Sequence, residues 1–291
     1  MSGPLIALFG FLAALVLIGM RIPIAVSLGS VAIVGIGIIR GLTPAYAIIR
    51  DEAFTTAAQF SLSAIPMFIL MGAFAHHAGL SSSLFRAARA WLSFMPGGLA
   101  IASNMACAGF AAASGSSLAT TAAIGRITIP EMLKAGYDKG LATGSIAAGG
   151  TLGVMIPPSL VFIIYGIFAE VSIGDLFIAG ILPGLLTLLI YCLMIATRCA
   201  LNPSLAPRSE EHSAWSEKWI SLLEVWPLLL LVFVVIGSIY GGVATPTEAG
   251  ACGAFFAIVL SIMQRKFTFH TFWSSVEDTV MTTGRIFFIV I

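Results

Sequence analysis

The chain has 291 residues, of which 59% are hydrophobic and 9% charged, with a formal net charge of +1. Soluble domains carry about 25% charged residues, so this composition, at a mean hydropathy of +1.04, excludes an ordinary soluble fold and identifies a polytopic membrane protein. The near-neutral charge leaves no basic field for nucleic acid, and the four cysteines, Cys107, Cys192, Cys199 and Cys252, all lie in apolar segments, where they read as small buried hydrophobes and not as disulfides or metal ligands.

Met1-Ser2-Gly3-Pro4 lacks the positive segment that opens a cleaved signal, so the first apolar run reads as a retained helix. Apolar runs lie at 4–20, 24–39, 60–79, 99–124, 140–169, 176–198, 219–240, 247–264 and 280–291. A helix needs roughly 20 residues to cross a bilayer. The first two runs are short and meet at Arg21-Ile22-Pro23, and we read them as two tilted spans. The last run stops inside an apolar stretch, Arg285 to Ile291, from which we expect a longer parent protein.

Charge sets the expected topology. The loops Arg126–Lys139 and Arg198–Lys218 and the turn at Arg265-Lys266 carry cations, including Lys134, Arg208 and Lys218. The loop 170–175 has Glu170 and Asp175 without a cation, and 241–247 has no charge. Cation-bearing loops tend to be cytoplasmic. Placing the three cationic loops inside makes the spans 140–169, 176–198, 219–240 and 247–264 alternate. Segment 99–124 then enters and leaves on the cytoplasmic side, because Arg86 and Arg89 precede it and Arg126 follows. That predicts a re-entrant hairpin with its tip at Ser114-Gly115-Ser116-Ser117. Arg21 falls inside, and Arg40, Arg50, Asp51 and Glu52 fall outside. Gly19–Ala25 lines up with Gly242–Glu248, and Ile65–Leu70 loosely with Gly284–Ile289, with the first pair of turns on opposite sides. Such inversion is a mark of inverted-repeat secondary transporters.

Two interruptions carry the chemistry. Backbone groups in hydrocarbon must be satisfied internally, so a broken helix survives only where protein or a water-filled cavity covers it. At the tip, Ser and Gly oppose helix continuation, and Ser hydroxyls cap freed N–H groups. Meeting half-helices present positive amino ends, suited to a carboxylate, and carbonyl-bearing ends, suited to a cation. Close packing of small residues is the competing reading of the tip. The second interruption is Gly149-Gly150-Thr151-Leu152-Gly153-Val154-Met155-Ile156-Pro157-Pro158-Ser159. Pro157 and Pro158 remove two backbone donors, so carbonyls near Gly153 to Ile156 lose their partners, and Na⁺ is a suitable substitute; a simple proline kink is the competing reading. Gly149, Gly150 and Gly153 are expected to let the backbone unwind and the tip approach. No Asp, Glu, Lys, Arg or His lies in 99–124 or 140–169. Proton relays use such groups, so Na⁺ coupling is favoured over H⁺.

Other polar residues read as structural. Adjacent His76 and His77 point about 100° apart on a helix and read as interfacial. Trp215, Trp219 and Trp226 read as an aromatic belt. Thr245-Pro246-Thr247-Glu248 reads as a helix-start cap. An intramembrane serine hydrolase using Ser116 or Ser117 needs a base in reach, and the histidines, His76, His77, His212 and His270, lie near span ends or in loops. A non-transporting structural subunit is the other alternative.

Ala113-Ser114-Gly115-Ser116-Ser117 with Ala119-Thr120, Ile129-Pro130-Glu131-Met132, Ala135-Gly136-Tyr137, Gly149–Gly153, Ile156-Pro157-Pro158-Ser159 and Ala244–Ala249 together resemble the large, DctM-type membrane subunit of the tripartite ATP-independent periplasmic (TRAP) transporters. The resemblance covers the whole chain. It implies an all-α polytopic fold of the ion-transporter superfamily, with inverted repeats, a re-entrant hairpin and broken helices working as an elevator. It implies a bacterial inner-membrane permease, not an enzyme, that takes up an organic acid such as a C4-dicarboxylate, sialic acid or keto acid. The implied partners are a small four-helix DctQ-type subunit and a periplasmic DctP-type binding protein, and the coupling ion is Na⁺ with no further cofactor. By matching position, Ser114, Ser116, Gly153, Ile156 and Ser159 would hold Na⁺, and Gly115, Ser117, Gly149, Gly150, Thr151, Pro157 and Pro158 would complete half of the substrate site. The expected division is 1–98 as scaffold helices, 99–172 as the transport-domain hairpin and broken helix, 173–218 as a span and cytoplasmic loop, and 219–291 as the start of a second inverted repeat.

Overall fold

A computed structural model describes residues 3–207 and 214–290; Met1, Ser2, Arg208, His212 and Ile291 lie outside the described residues. Every regular element described is helical: α1 Gly3–Gly19, α2 Ile24–Arg40, α3 Leu42–Ala57, α4 Ala64–His77, α5 Leu80–Leu92, α6 Gly98–Ser114, α7 Ser117–Lys134, α8 Lys139–Met155, α9 Leu160–Phe168, α10 Ile173–Leu201, α11 Trp215–Leu223, α12 Trp226–Tyr240, α13 Pro246–Met263 and α14 Phe269–Val290. Phe60–His77, where a short 3-10 turn leads into α4, together with α10 and α13, is long and apolar enough to cross a bilayer. Two further pairs pass jointly and are bent by 41° each, α8 with α9 and α11 with α12. The protein is therefore an all-α polytopic membrane protein with broken spans.

Packing separates two compact units. One holds the residues up to Phe60 and those from Met281 onward; the other is Ser61–Val280. In the first, α1 and α2 are apolar helices of 17 residues each, shorter than the spans named above, joined by a turn in which Arg21 takes φ 66°. Gly10 lies so close to Val31 that a Cβ there would sit 3.2 Å from its Cγ1. Leu8, Phe9, Phe11 and Val16 stay exposed, as suits a lipid-facing helix.

In the second unit, α13 lies along α4, where Gly250 meets Phe68 and Gly253 meets Met71 and Val235. Thr245 and Glu248 form the expected capping box at the start of α13: Thr245 donates its N–H to Glu248 Oε2 at 2.8 Å, and Glu248 returns its N–H to Thr245 Oγ1 at 3.4 Å. Helices α6, α7 and α8 pack on one another. The outer side of α10 exposes Leu182, Leu185, Leu189 and Leu193. Helix α5 buries Leu80, Phe85 and Ala87 and docks on α11, with Trp91 Nε1 donating to the Lys218 carbonyl at 3.1 Å. Trp91 also meets Trp215 and Trp219 edge-on, at 6.3 and 5.9 Å. These two tryptophans thus pack on a neighbouring helix while remaining largely exposed.

The structure differs from several expectations. The stretch from Arg126 is not a loop throughout: α7 stays helical through Lys134, with Pro130 inside it. Its polar side chains give this last part of the helix the composition of a loop, and Glu131 there accepts a 2.8 Å bond from Arg89. The run 219–240 is two helices, broken near Pro227. Helix α14 starts at Phe269, well before 280. Thr271, Ser275 and Thr279 donate their hydroxyls to the carbonyls of Lys266, Thr271 and Ser275, and so hide a polar stripe inside a helix.

Candidate functional site: two broken helices at one junction

Helices α6 and α7 form a hairpin. They turn at Gly115, which takes φ +59°, a left-handed conformation that glycine tolerates best. The open end is closed where the Leu99 N–H at the start of α6 donates to Tyr137 Oη just beyond α7, at 3.2 Å. Burial pushes the Tyr137 hydroxyl up from its usual range, and the bond from Leu99 partly offsets this. Both arms therefore start and finish at the same end, and the tip carries Ser114, Gly115, Ser116 and Ser117.

The tip docks on the break between α8 and α9. The Leu160 N–H donates to the Gly115 carbonyl at 3.1 Å. A Cβ on Gly115 would lie 2.5 Å from the Pro158 oxygen. Gly153 faces the tip backbone, and a Cβ there would lie 2.7 Å from the Ser116 carbonyl carbon and 2.8 Å from the Ser117 nitrogen. Gly150 faces Ser117 O and the Thr121 hydroxyl, and Gly149 faces Asn104 and Cys107. The glycines do not unwind α8, which stays helical through Met155. They thin its surface so that the hairpin can approach, and the break itself falls at Ile156-Pro157-Pro158.

Four helix ends meet at this junction. Ser116 caps α7 by accepting the Ala119 N–H at 3.3 Å, and Ser159 caps α9 by accepting the Phe162 N–H at 3.4 Å. Ser114 Oγ lies 2.9 Å from Thr120 Oγ1. Gly115 N–H returns to the Ala111 carbonyl and Ile156 N–H to the Leu152 carbonyl, each at 2.8 Å. No bond outside the helices, among the described residues, ends on the carbonyls of Gly153, Val154 or Met155. Ser114, Gly115, Gly153, Pro157, Pro158 and Ser159 are buried, and Ser116, Ser117 and Ile156 are partly so. The carboxyl ends of α6 and α8 bring carbonyl oxygens, and the amino ends of α7 and α9 bring N–H groups, which suits a cation beside an anion.

Thr151 stands apart. It is exposed on α8, donates to the Ala148 carbonyl at 2.6 Å and lies 3.2 Å from the Tyr191 hydroxyl. Thr120 and Thr121 were not among the expected site residues, yet both reach the tip; their spacing from Ser116 and Ser117 along one helix was the available signal. His76 lies 3.3 Å from Ser81 Oγ, and His77 lies 3.4 Å from Asp278, so each is engaged at the end of α4.

The profile of a family described as the DctM component of the tripartite ATP-independent periplasmic transporters matches residues 11–291. The chain is 38% identical over 290 residues to an isethionate TRAP transporter permease protein, DctMQ, of Oleidesulfovibrio alaskensis, covering 97% of this chain and 44% of that protein. It is 40% identical over 253 residues to a C4-dicarboxylate TRAP transporter large permease protein, DctM, of Vibrio cholerae, covering 85% and 54%. A protein of the same description in Pseudomonas aeruginosa is 40% identical over 215 residues, covering 72% and 49%. The chain thus spans about half the length of these curated relatives, all of them named as transporter permeases. The chain belongs to the DctM component family of the tripartite ATP-independent periplasmic transporters, multi-pass permeases of the bacterial inner membrane.

Proposed function

We propose that this chain is the permease component of a Na⁺-coupled TRAP transporter that takes up an organic acid. The observation that carries the reading is the docking of the hairpin tip on the α8–α9 break through the Leu160-to-Gly115 bond. It brings two carbonyl-bearing helix ends, and the segments that carry Ser114, Ser116 and Ser159, to one junction. Na⁺ would take oxygens from Ser114, Ser116, Gly153, Ile156 and Ser159. The acid would lie against the amino ends of α7 and α9, beside Gly115, Ser117 and the Pro157-Pro158 turn. Gly149 and Gly150 allow the hairpin to approach. Neutral oxygens do not titrate near neutral pH, which favours Na⁺ over H⁺ as the driving ion. Relatives named for isethionate and for C4-dicarboxylates support an acidic solute. A small DctQ-type membrane subunit and a periplasmic DctP-type binding protein would complete the assembly.

The test is uptake by membrane vesicles carrying the parent protein with both partners. Accumulation is expected to follow an imposed Na⁺ gradient and to ignore an imposed pH gradient. Accumulation driven by pH in the absence of Na⁺ would overturn the coupling.

A further inference from the structure

Hydroxyls inside helices usually return their proton to a carbonyl of their own helix. Ser103, Thr121, Thr143, Ser145 and Thr151 of α6, α7 and α8 all do so. Thr120 does not. Its Oγ1 lies 2.9 Å from Ser114 Oγ, across the turn at Gly115, and neither hydroxyl has another hydrogen bond among the described residues. Ser114 is the last residue of α6 and Thr120 lies in the first turn of α7. The bond therefore ties a carbonyl-bearing helix end to an amino end.

Nothing else can take the place of Thr120. It is fully buried, and Ser114 is 2% exposed, so water does not reach the pair. Helix α4 lies against the same serine: a Cβ on Gly72 would sit 2.8 Å from Ser114 Cα and 3.2 Å from its Cβ. Ser114 thus has no room to shift toward α4 if its partner is lost.

We propose that Thr120 is a positioning residue for the ion, an inference that rests on the Na⁺ reading of the junction. A hydroxyl that ligates a cation offers its oxygen and must send its proton elsewhere. In a buried turn a proton without an acceptor is costly. Thr120 Oγ1 accepts the Ser114 proton, which turns the Ser114 lone pairs to Na⁺ and holds the last turn of α6 in place. Thr120 itself does not touch the ion.

The test is uptake by vesicles carrying the parent protein with both partners, measured against Na⁺ concentration. Thr120→Val keeps the shape of the side chain and removes the acceptor. It should raise the Na⁺ concentration for half-maximal uptake at least about fivefold, roughly the worth of one hydrogen bond, with the maximal rate kept. Thr120→Ser should restore the wild-type value. On a Ser114→Ala background, Thr120→Val should add no further shift. A merely structural threonine would instead lower the amount of folded transporter and the maximal rate, with half-saturation unmoved. Should Thr120→Val fail to insert, Thr120→Ala, which frees space, is read against the same outcomes. Na⁺-dependent uptake whose half-saturation is unchanged without the acceptor overturns this inference alone. So does failure of Thr120→Ser to restore it, or a full further shift on the Ser114→Ala background. Uptake by the unmodified transporter that ignores Na⁺ overturns the Na⁺ reading and this inference with it.

Discussion

Ser116 and Ser159 occupy equivalent positions, each capping the helix that follows an interruption. A hydroxyl oxygen has two lone pairs, so each can accept its cap bond and still face a cation. Ser116→Ala and Ser159→Ala remove both functions. Loss of a coordinating or hydrogen-bonding group costs about 1–3 kcal/mol, so the Na⁺ concentration for half-maximal uptake by the parent transporter should rise roughly tenfold or more. Insertion and expression should be kept, because no large cavity is left. Unchanged Na⁺ dependence in both variants would leave these serines as caps alone. The glycines separate in a different way. Gly153 faces backbone atoms of Ser116 and Ser117, which cannot rotate away, whereas Gly150 faces chiefly the Thr121 side chain. Gly153→Ala should therefore lower stability in detergent by about 1–3 kcal/mol. Gly150→Ala should be destabilising alone and largely restored in the double variant with Thr121→Ala. Thermal unfolding of the four proteins checks the cycle, and additivity of the Gly150 and Thr121 changes would refute that contact.

At the scale of elements, the break between α8 and α9 has a specific consequence. A residue at 157 with a backbone N–H would continue the helical pattern by bonding to the Gly153 carbonyl. Pro157→Ala thus offers a competitor for an oxygen that the Na⁺ reading uses. Normal expression with uptake lowered at least about tenfold is expected, in line with loss of one ligand; wild-type uptake would remove Gly153 from the site. The breaks themselves were legible, since Ser-Gly-Ser and Pro-Pro inside apolar runs have few other readings. What the glycines do beside them was not. Glycine loosens a helix in isolation but thins one that is packed, and only the neighbour decides. The turn at Gly19–Ala25 shows a similar limit. Its alignment with Gly242–Glu248 rests on Pro23 and Pro246. The backbone bonds instead equate Arg21 with Gly242: amides one residue before, at and one residue after each return to carbonyls four, three and five residues back. The same closure ends α7 at Gly136 and α13 at Arg265. It is a common way for a helix to stop, so it cannot by itself establish a repeat.

For the whole molecule, the charge pattern predicts which loops share a side of the membrane. Single cysteines at Ser204 and Gly241, in a cysteine-free background, should react with an impermeant thiol reagent from opposite faces, with position 204 reached only from the cytoplasm. Labelling of both from the periplasm would overturn the topology. The helical, membrane-embedded character was plain from composition alone. Elements with a polar face, such as α5, the second half of α7 and the start of α14, were not, because hydropathy responds to mean character while packing responds to one side of a helix. The hairpin has a further implication. It is held at its base by Tyr137 and Leu99 and at its tip by Gly115 and Leu160, and parting a backbone bond inside hydrocarbon costs several kcal/mol. A latch that must break such a bond on every cycle would be a slow one. Under the proposed transport, the tip is better suited to act as a rivet, with α6 to α9 travelling as one piece and any doorway for solute opening along their outer margin.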